Sequence, residues 1–328
     1  MKSVHRLRAM LRFACATGAI ACAANACAQA YPAKPIRVIV AFAPGGGTDI
    51  LARAIGLKLN EAWGQPVVIE NRAGAGGNIG TELVAKAPPD GYTLLATSSG
   101  PFVIAPSLHG KLPYDPLNDF APITLSVTYP YLLVAHPSVP AKTIKELIAL
   151  ARSKPGALNC ASGGIGTPPH LATELFNMMA GVKLTHIAYK GTGAALIDVL
   201  GGHVDLIFGN LPSQLPHIRS GKLRPMGIST AQRSALLPHV PTISEAGVAG
   251  FEASAWFGWL APAATPRETV TKLQSEMSKI VHSAEMKSRL VNEGADPVGN
   301  TPAQFADYMK VDSAKWARVI KSANIEPE

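Results

Sequence analysis

Cysteine is scarce in this chain of 328 residues, and three of its four copies, Cys15, Cys22 and Cys27, fall within the first thirty positions. Beyond residue 30 only Cys160 remains, which excludes an intramolecular disulfide and a cysteine-built zinc site there. Long apolar runs are missing as well: no later segment approaches the roughly 20 apolar residues that a membrane-spanning helix needs. Basic runs are absent. Lys and Arg (30) exceed Asp and Glu (22) but lie scattered, which suits a solvated, mildly positive surface and speaks against nucleic-acid binding. Catalytic signatures are lacking too, with no Gly-x-Ser-x-Gly elbow and no His-Glu-x-x-His. His170, His186, His203 and His217 stand isolated and read as structural. Asp198 and Asp205 flank Leu200-Gly201-Gly202; they could form an acidic pair, but turn and cap roles are commoner for such residues. With no activated nucleophile beside a base, a binder is favoured over an enzyme, and no cofactor or metal is expected.

What the N-terminus does contain is an export signal. Lys2, Arg6, Arg8 and Arg12 stand without an acidic residue, Phe13–Ala24 is apolar, and Ala28-Gln29-Ala30 offers a small-x-small cleavage site before Tyr31. As a helix the apolar run would reach only about 18 Å, short of a hydrocarbon core of roughly 30 Å. Residues 1–30 are expected to be removed after Ala30. Ala19-Ile20-Ala21-Cys22 loosely suits lipid attachment but lacks the usual leucine, so simple cleavage ranks first. Taking the four signal charges from the formal +8 leaves +4, a weak field that attracts anionic solutes.

After the signal, short apolar runs alternate with amphipathic stretches. Ile36–Phe42, Val67–Glu70 and Tyr92–Thr97 read as strands, and Thr48–Trp63 and Gly77–Lys86 as helices. Leu51, Ile55 and Leu59 recur at helical spacing, with Thr48 or Asp49 placed to cap and Gly64 to stop. A second series runs from Tyr131 through helices at Lys142–Ser153, Pro168–Ala180 and Thr192–Leu200. Its strands are Leu158–Ala161, Leu184–Tyr189, Val204–Phe208 and Arg224–Ser229. Ala253–Ala261 is a further strand, and helices at Pro266–Ser283, Ala284–Asn292 and Pro302–Ala323 close the chain. Repeated β-α-β units predict an α/β class with a parallel sheet between helices. Two such series with a helical tail suggest two lobes.

Three glycine-rich links join strands to helices. Phe42-Ala43-Pro44-Gly45-Gly46-Gly47-Thr48-Asp49 precedes a helix N-terminus, where free N–H groups and the helix dipole favour an anion. A nucleotide P-loop is excluded because Gly-Lys-Ser/Thr is absent; the alternative is a tight turn with a capped helix. Asn71-Arg72-Ala73-Gly74-Ala75-Gly76-Gly77-Asn78-Ile79-Gly80 departs from the dinucleotide fingerprint at Ile79 and reads as a turn that positions a helix, with Arg72 at the surface or between lobes. Ala161-Ser162-Gly163-Gly164-Ile165-Gly166-Thr167-Pro168-Pro169-His170 places Thr167 as an N-cap with Pro168 in the first helical position. Its hydroxyl and amides either meet a carboxylate opposite the first loop or cap the helix and nothing more.

The first loop, extended through Ile50-Leu51-Ala52-Arg53, resembles the opening motif of the Bug-type (TctC) solute receptors of tripartite tricarboxylate transporters. Further segments match in order: Glu70–Gly80, Pro89-Asp90-Gly91-Tyr92-Thr93-Leu94-Leu95, Tyr189-Lys190-Gly191, Gly201-Gly202-His203-Val204-Asp205 and Gly221-Lys222-Leu223-Arg224. Leu237-Pro238-His239-Val240-Pro241-Thr242, Trp256-Phe257-Gly258-Trp259 and Ala261-Pro262 complete an array that covers nearly the whole chain beyond the signal. The resemblance implies a two-lobed periplasmic binding protein of the Venus-flytrap type (type II-like) with crossing hinge strands near Ile123–Tyr129 and Ala253–Leu260. Lobe one would comprise residues 31–126 plus 254–328, and lobe two residues 127–253. It also implies a periplasmic monomer that holds a small organic carboxylate through amides, hydroxyls and water, and that delivers it to integral-membrane transporter subunits. Besides Phe42–Asp49, Gly163, Gly164, Gly166 and Thr167, it brings Thr97, Ser98, His170, Tyr189 and Asp205 to the cleft. One departure is Pro168-Pro169 between Thr167 and His170, which stiffens that loop. Competing readings are a sensor for a membrane kinase and an exported hydrolase.

Overall fold

The computed structural model describes residues 31–189 and 191–326; the expected export signal lies outside them. Pro35–Glu328 forms one compact unit. It opens with β1 (Ile36–Val40), α1 (Gly47–Trp63), β2 (Val67–Asn71), α2 (Asn78–Ala85) and β3 (Thr93–Ser98). Leu51, Ile55 and Leu59 of α1 are buried, and Gly64 ends the helix in the left-handed region that glycine adopts without strain. After β3 come a π-helical turn, Gly100–Ile104, and the short α3 (Ala105–Leu108).

β4 (Phe120–Ala135) is 16 residues long and carries the chain into the second half. There follow α4 (Ile144–Ser153), β5 (Asn159–Ser162), α5 (Pro168–Ala180), β6 (Thr185–Ala188), α6 (Thr192–Leu200), β7 (Leu206–Asn210), α7 (Leu211–Arg219) and β8 (Arg224–Ile228). β9 (Ser254–Pro262) returns, and α8 (Arg267–His282), α9 (Ala284–Asn292), β10 (Asp296–Pro297) and α10 (Pro302–Ser322) close the fold. Thr301 and Gln304 form the capping box that starts α10. Among the described residues no helix is long and apolar enough to cross a membrane.

The strand order is β2-β1-β3-β9-β4-β7-β5-β6, with β8 and β10 also paired to β4. β1 pairs in parallel with β2 and β3, as β5 does with β6 and β7. The pairs that involve β4 or β9 are antiparallel. The expected parallel pairing therefore holds among β1, β2 and β3 and among β5, β6 and β7, and fails wherever β4, which leaves the first half, or β9, which returns, is a partner. β4 changes partners between Pro130, opposite Ser254 of β9, and Tyr131, opposite Asn210 of β7. Proline, with no N–H to give to a ladder, suits that break. Ser229 secures it: its N–H donates to Tyr131 O at 2.9 Å, Tyr131 N–H donates to its Oγ at 2.8 Å, and its hydroxyl donates to Ala253 O.

Two helical stretches escape the sequence pattern. α7 carries Pro212 near its start and Pro216 in its interior, and both read as breakers. Gly100–Leu108 is short and contains two prolines, Pro101 and Pro106.

Candidate ligand-binding cleft

A cavity of about 540 Å³ opens between the two halves of the sheet. Gly47 of α1, Thr167 and Pro168 of α5, Gly191 and Thr192 of α6, and Asn210 and Pro212 of α7 line it. Four helices thus present their N-termini to one space. Their N-cap residues, Gly46, Thr167, Gly191 and Asn210, make no side-chain capping bond. Elsewhere Thr143, Ser283 and Thr301 cap α4, α9 and α10, while α2 and α8, away from this cavity, also lack a side-chain cap. First-turn N–H groups have no acceptor within their own helix, and the aligned peptide dipoles make this end positive. Pro168, Pro169 and Pro212 remove three of the donors, so α1 and α6 supply more of the N–H groups. Glu293 is the one charged side chain among the described lining residues, and no arginine or lysine is among them. Lys190, next to Gly191, lies outside the described residues.

The crossing strands form the floor. Tyr129, Tyr131, Ala255 and Phe257 line the same cavity, with the Tyr129 and Phe257 rings edge to face at 5.1 Å. Burial, and then the Glu293 carboxylate, push the Tyr129 hydroxyl up to about 12, so it remains a donor at neutral pH.

In the first loop, Ala43 to Gly47 are exposed, whereas Thr48 and Asp49 are buried. The N-cap is Gly46, not Thr48 or Asp49. Asp49 faces inward instead. Its Oδ2 accepts from Gly45 N–H at 2.8 Å and Arg53 Nε at 3.1 Å, and its Oδ1 from Asn71 Nδ2 at 2.9 Å. Asn71 Nδ2 also donates to Phe42 O at 3.0 Å. Burial raises the Asp49 carboxyl, but the bonds from Arg53, Gly45 and Asn71 outweigh it and hold the group below the usual range. The residue braces the loop; its oxygens are engaged by protein donors.

A second cavity of about 500 Å³ shares Thr167 and Pro168 with the first. Phe42, Ala75, Gly76, Asn78, Ser98, Gly166 and Leu108 are among its walls. The second glycine-rich link is therefore part of the cleft, not only a turn before α2. Its glycines have a local cause. Gly77 has φ +101°, and a Cβ there would come within 2.8 Å of Pro101 Cγ and 3.1 Å of Phe42 Cζ, so a side chain would displace the Phe42 ring. Arg72 bonds Glu70 at 3.2 Å and stands half exposed.

In the third loop, Gly163 passes so close to α6 that a Cβ would lie 3.0 Å from Thr192 N. Thr167 stands at the N-cap position as expected, but its hydroxyl donates to Gly164 O at 2.7 Å. Gly166 N–H donates to His170 Nδ1 at 3.0 Å. The His170 ring stacks on His186 with centroids 3.7 Å apart, and His186 Nε2 meets Ser162 Oγ at 2.6 Å. Burial, then the neighbouring imidazole, push His170 down to about 4. His170 thus supports the loop from beneath and is absent from the lining of either cavity.

The remaining expected residues divide. Ser98 lines the second cavity. Thr97 beside it is fully buried, and its hydroxyl has no hydrogen-bond partner. Tyr189 and Asp205 are not brought to the cavity walls. The Tyr189 hydroxyl donates to Asp198 Oδ2 at 2.6 Å, which raises it to about 12. Asp205 accepts from Asn159 N–H at 2.8 Å, where β5 begins, whereas the third loop follows its other end. Tyr129, Tyr131, Gly191, Thr192, Asn210, Phe257 and Glu293 are cleft residues that the sequence reading missed. Gly191-Thr192 repeats the strand-glycine-helix pattern of the other loops and was detectable; the rest reach the cleft only through folding.

The two halves, the crossing strands and the open cleft define a solute-binding receptor. The profile described as "Tripartite tricarboxylate transporter family receptor" matches residues 51–325, and the chain belongs to that family. Protein BugT of Bordetella pertussis is 40% identical over 320 residues, 97% of this chain and 98% of that protein. R. palustris Rpa4515 with adipate superposes with a TM-score of 0.75 at 38% identity, covering 91% of this chain and all (100%) of that one. MatC from Rhodopseudomonas palustris with bound malate gives 0.70 at 34% identity, covering 88% of this chain and 100% of that one. A structure described as periplasmic binding protein BugD gives 0.71 at 36% identity, covering 91% of this chain and 100% of that one, and the chain shares this fold.

Proposed function

We propose that this protein is a periplasmic receptor that captures a small carboxylate between its lobes and delivers it to the membrane subunits of a tripartite transporter. The observation that carries this is the convergence of four uncapped helix N-termini on a cleft without a lysine or arginine among its described walls. Such a site holds an anion by fixed dipoles and charge-assisted N–H bonds. Relatives that carry adipate and malate are consistent with it. The expected lobes, residues 31–126 plus 254–328 and residues 127–253, meet close to the partner change at Pro130 and the start of β9 at Ser254. That junction suits a hinge whose closure buries the solute. The chain acts as a monomer after cleavage behind Ala30.

The test is a thermal-shift and calorimetric screen of the mature chain with organic acids and their neutral amides. A bound acid raises apparent stability, while the matching amide leaves it unchanged. Equal shifts with acid and amide, or none with any acid, would overturn the carboxylate reading. Undiminished uptake of the bound acid in cells lacking the receptor would overturn the transport role.

A further inference from the structure

We propose that the preferred solute is an acid with an apolar body, whose hydrocarbon chain or ring occupies the second cavity while its carboxylate meets the helix N-termini of the first. This rests on the carboxylate reading above and names the class of carboxylate. Thr167 and Pro168 belong to both cavities, so one molecule can touch both. At about 500 Å³, the second cavity falls within the roughly 300–1,000 Å³ usual for small ligands.

Its walls are chemically one-sided. Phe42, Ile104, Ala105, Leu108 and Ile165 contribute apolar side chains from both halves of the fold. Ile165 is the most informative. It sits between Gly164 and Gly166 in the third loop, is 43% exposed, and has this cavity beside it. A glycine loop has no structural need for a large exposed aliphatic side chain; an apolar ligand supplies a partner for it. Leu108 approaches from across the cleft, so close that a Cβ on Gly166 would lie 2.9 Å from its Cδ1. The Phe42 ring occupies space that a Cβ on Gly77 would approach to 3.1 Å. Ile104 ends a π-helical turn, a distortion frequent at functional sites.

Polar groups here are few. Asn78 Oδ1 already accepts from the Tyr114 hydroxyl at 2.7 Å, and the remaining polar side chains are Ser98, His109, Glu326 and the shared Thr167. The Glu326 carboxylate would repel a second anionic group. A compact polar diacid would therefore leave polar atoms without partners, which is costly. A methylene buried in this space gains about 0.8 kcal/mol, or about fourfold in affinity.

Calorimetry of the mature chain with linear acids from butyrate to octanoate, with benzoate and with malate tests the assignment. Affinity is expected to rise about fourfold per methylene until the space is filled, with octanoate and benzoate binding more tightly than malate. In Ile165→Ser, an exposed substitution that spares the core, the dependence on chain length should flatten. Three results overturn the proposal and leave the carboxylate reading intact: no chain-length dependence, malate bound more tightly than octanoate and benzoate, or an unchanged slope in the variant. If none of these acids binds while another acid of the screen does, this proposal falls and the carboxylate reading stands; if no acid of the screen binds, both fall.

Discussion

The backbone N–H of Gly166 donates to Nδ1 of His170 across 3.0 Å, so a buried imidazole fastens the third cleft loop. Because Nδ1 accepts, the neutral ring carries its proton on Nε2, which lies 3.8 Å from Glu174. A second proton at Nδ1 would break the bond to the loop. Burial and His186 hold His170 near 4, below its ordinary value of 6.5. The unfolded chain thus binds more protons in this window, and the folded state loses stability as pH falls from about 6.5 to about 4, by up to about 3 kcal/mol. Urea denaturation across this range should show the loss, and it should shrink in His170→Gln. Superimposable pH profiles for the two proteins would refute it.

Asn71 ties the first two loops together through Phe42 O, Asp49 and Arg53. Asn71→Ala removes at once the donor to the Phe42 carbonyl and one of two donors to Asp49 Oδ1, where Arg53 Nη2 remains at 3.0 Å. We expect a loss of about 1–3 kcal/mol in stability, read from denaturation midpoints, together with weaker solute binding. A variant as stable as the parent would show that the loop stands without this brace.

Thr167 borders both cavities and carries a hydroxyl free to turn from Gly164 O toward a bound anion. Thr167→Ala should weaken acid binding by about 1–2 kcal/mol through loss of a charge-assisted hydrogen bond, whereas Thr167→Ser should retain most of it. Unchanged calorimetric affinity in the alanine variant would remove Thr167 from the site.

A buried bond helps fix the C-terminal helix to the returning strand. Trp256 Nε1–H donates to Asp312 Oδ2 at 3.0 Å, and Lys315 meets Oδ1 at 2.7 Å. Asp312→Ala leaves the indole N–H buried without a partner and should cost about 1–3 kcal/mol. Hydrogen exchange should localise the loss to α10 and β9; uniform exchange would contradict that attachment.

Much of the fold was legible because local rules govern it. The α1 stripe of Leu51, Ile55 and Leu59, the stop at Gly64 and the Thr301 capping box act within a few residues of chain. The loops were legible for the same reason, since glycine before a helix marks a place where backbone can approach a ligand. Legibility failed where a residue's role depends on distant chain. Asp49 looked like a cap or ligand group, yet Asn71, twenty-two positions away, claims one of its oxygens. Tyr189 and Asp205 matched the family's spacing, but Asp198 and Asn159 engage their side chains.

By itself the sequence determined the α/β alternation, the scarcity of cysteine, the glycine-rich loops and the family, all carried by residue type and near spacing. Tertiary structure alone decided that the link at Ala75–Asn78 is a wall of the cleft, that four uncapped helix N-termini converge there, and that Ile165 and Leu108 share one apolar chamber. The physical reason is the path of β4 and β9: long-range antiparallel pairing sets the two halves face to face, and no local pattern encodes what then meets across the gap.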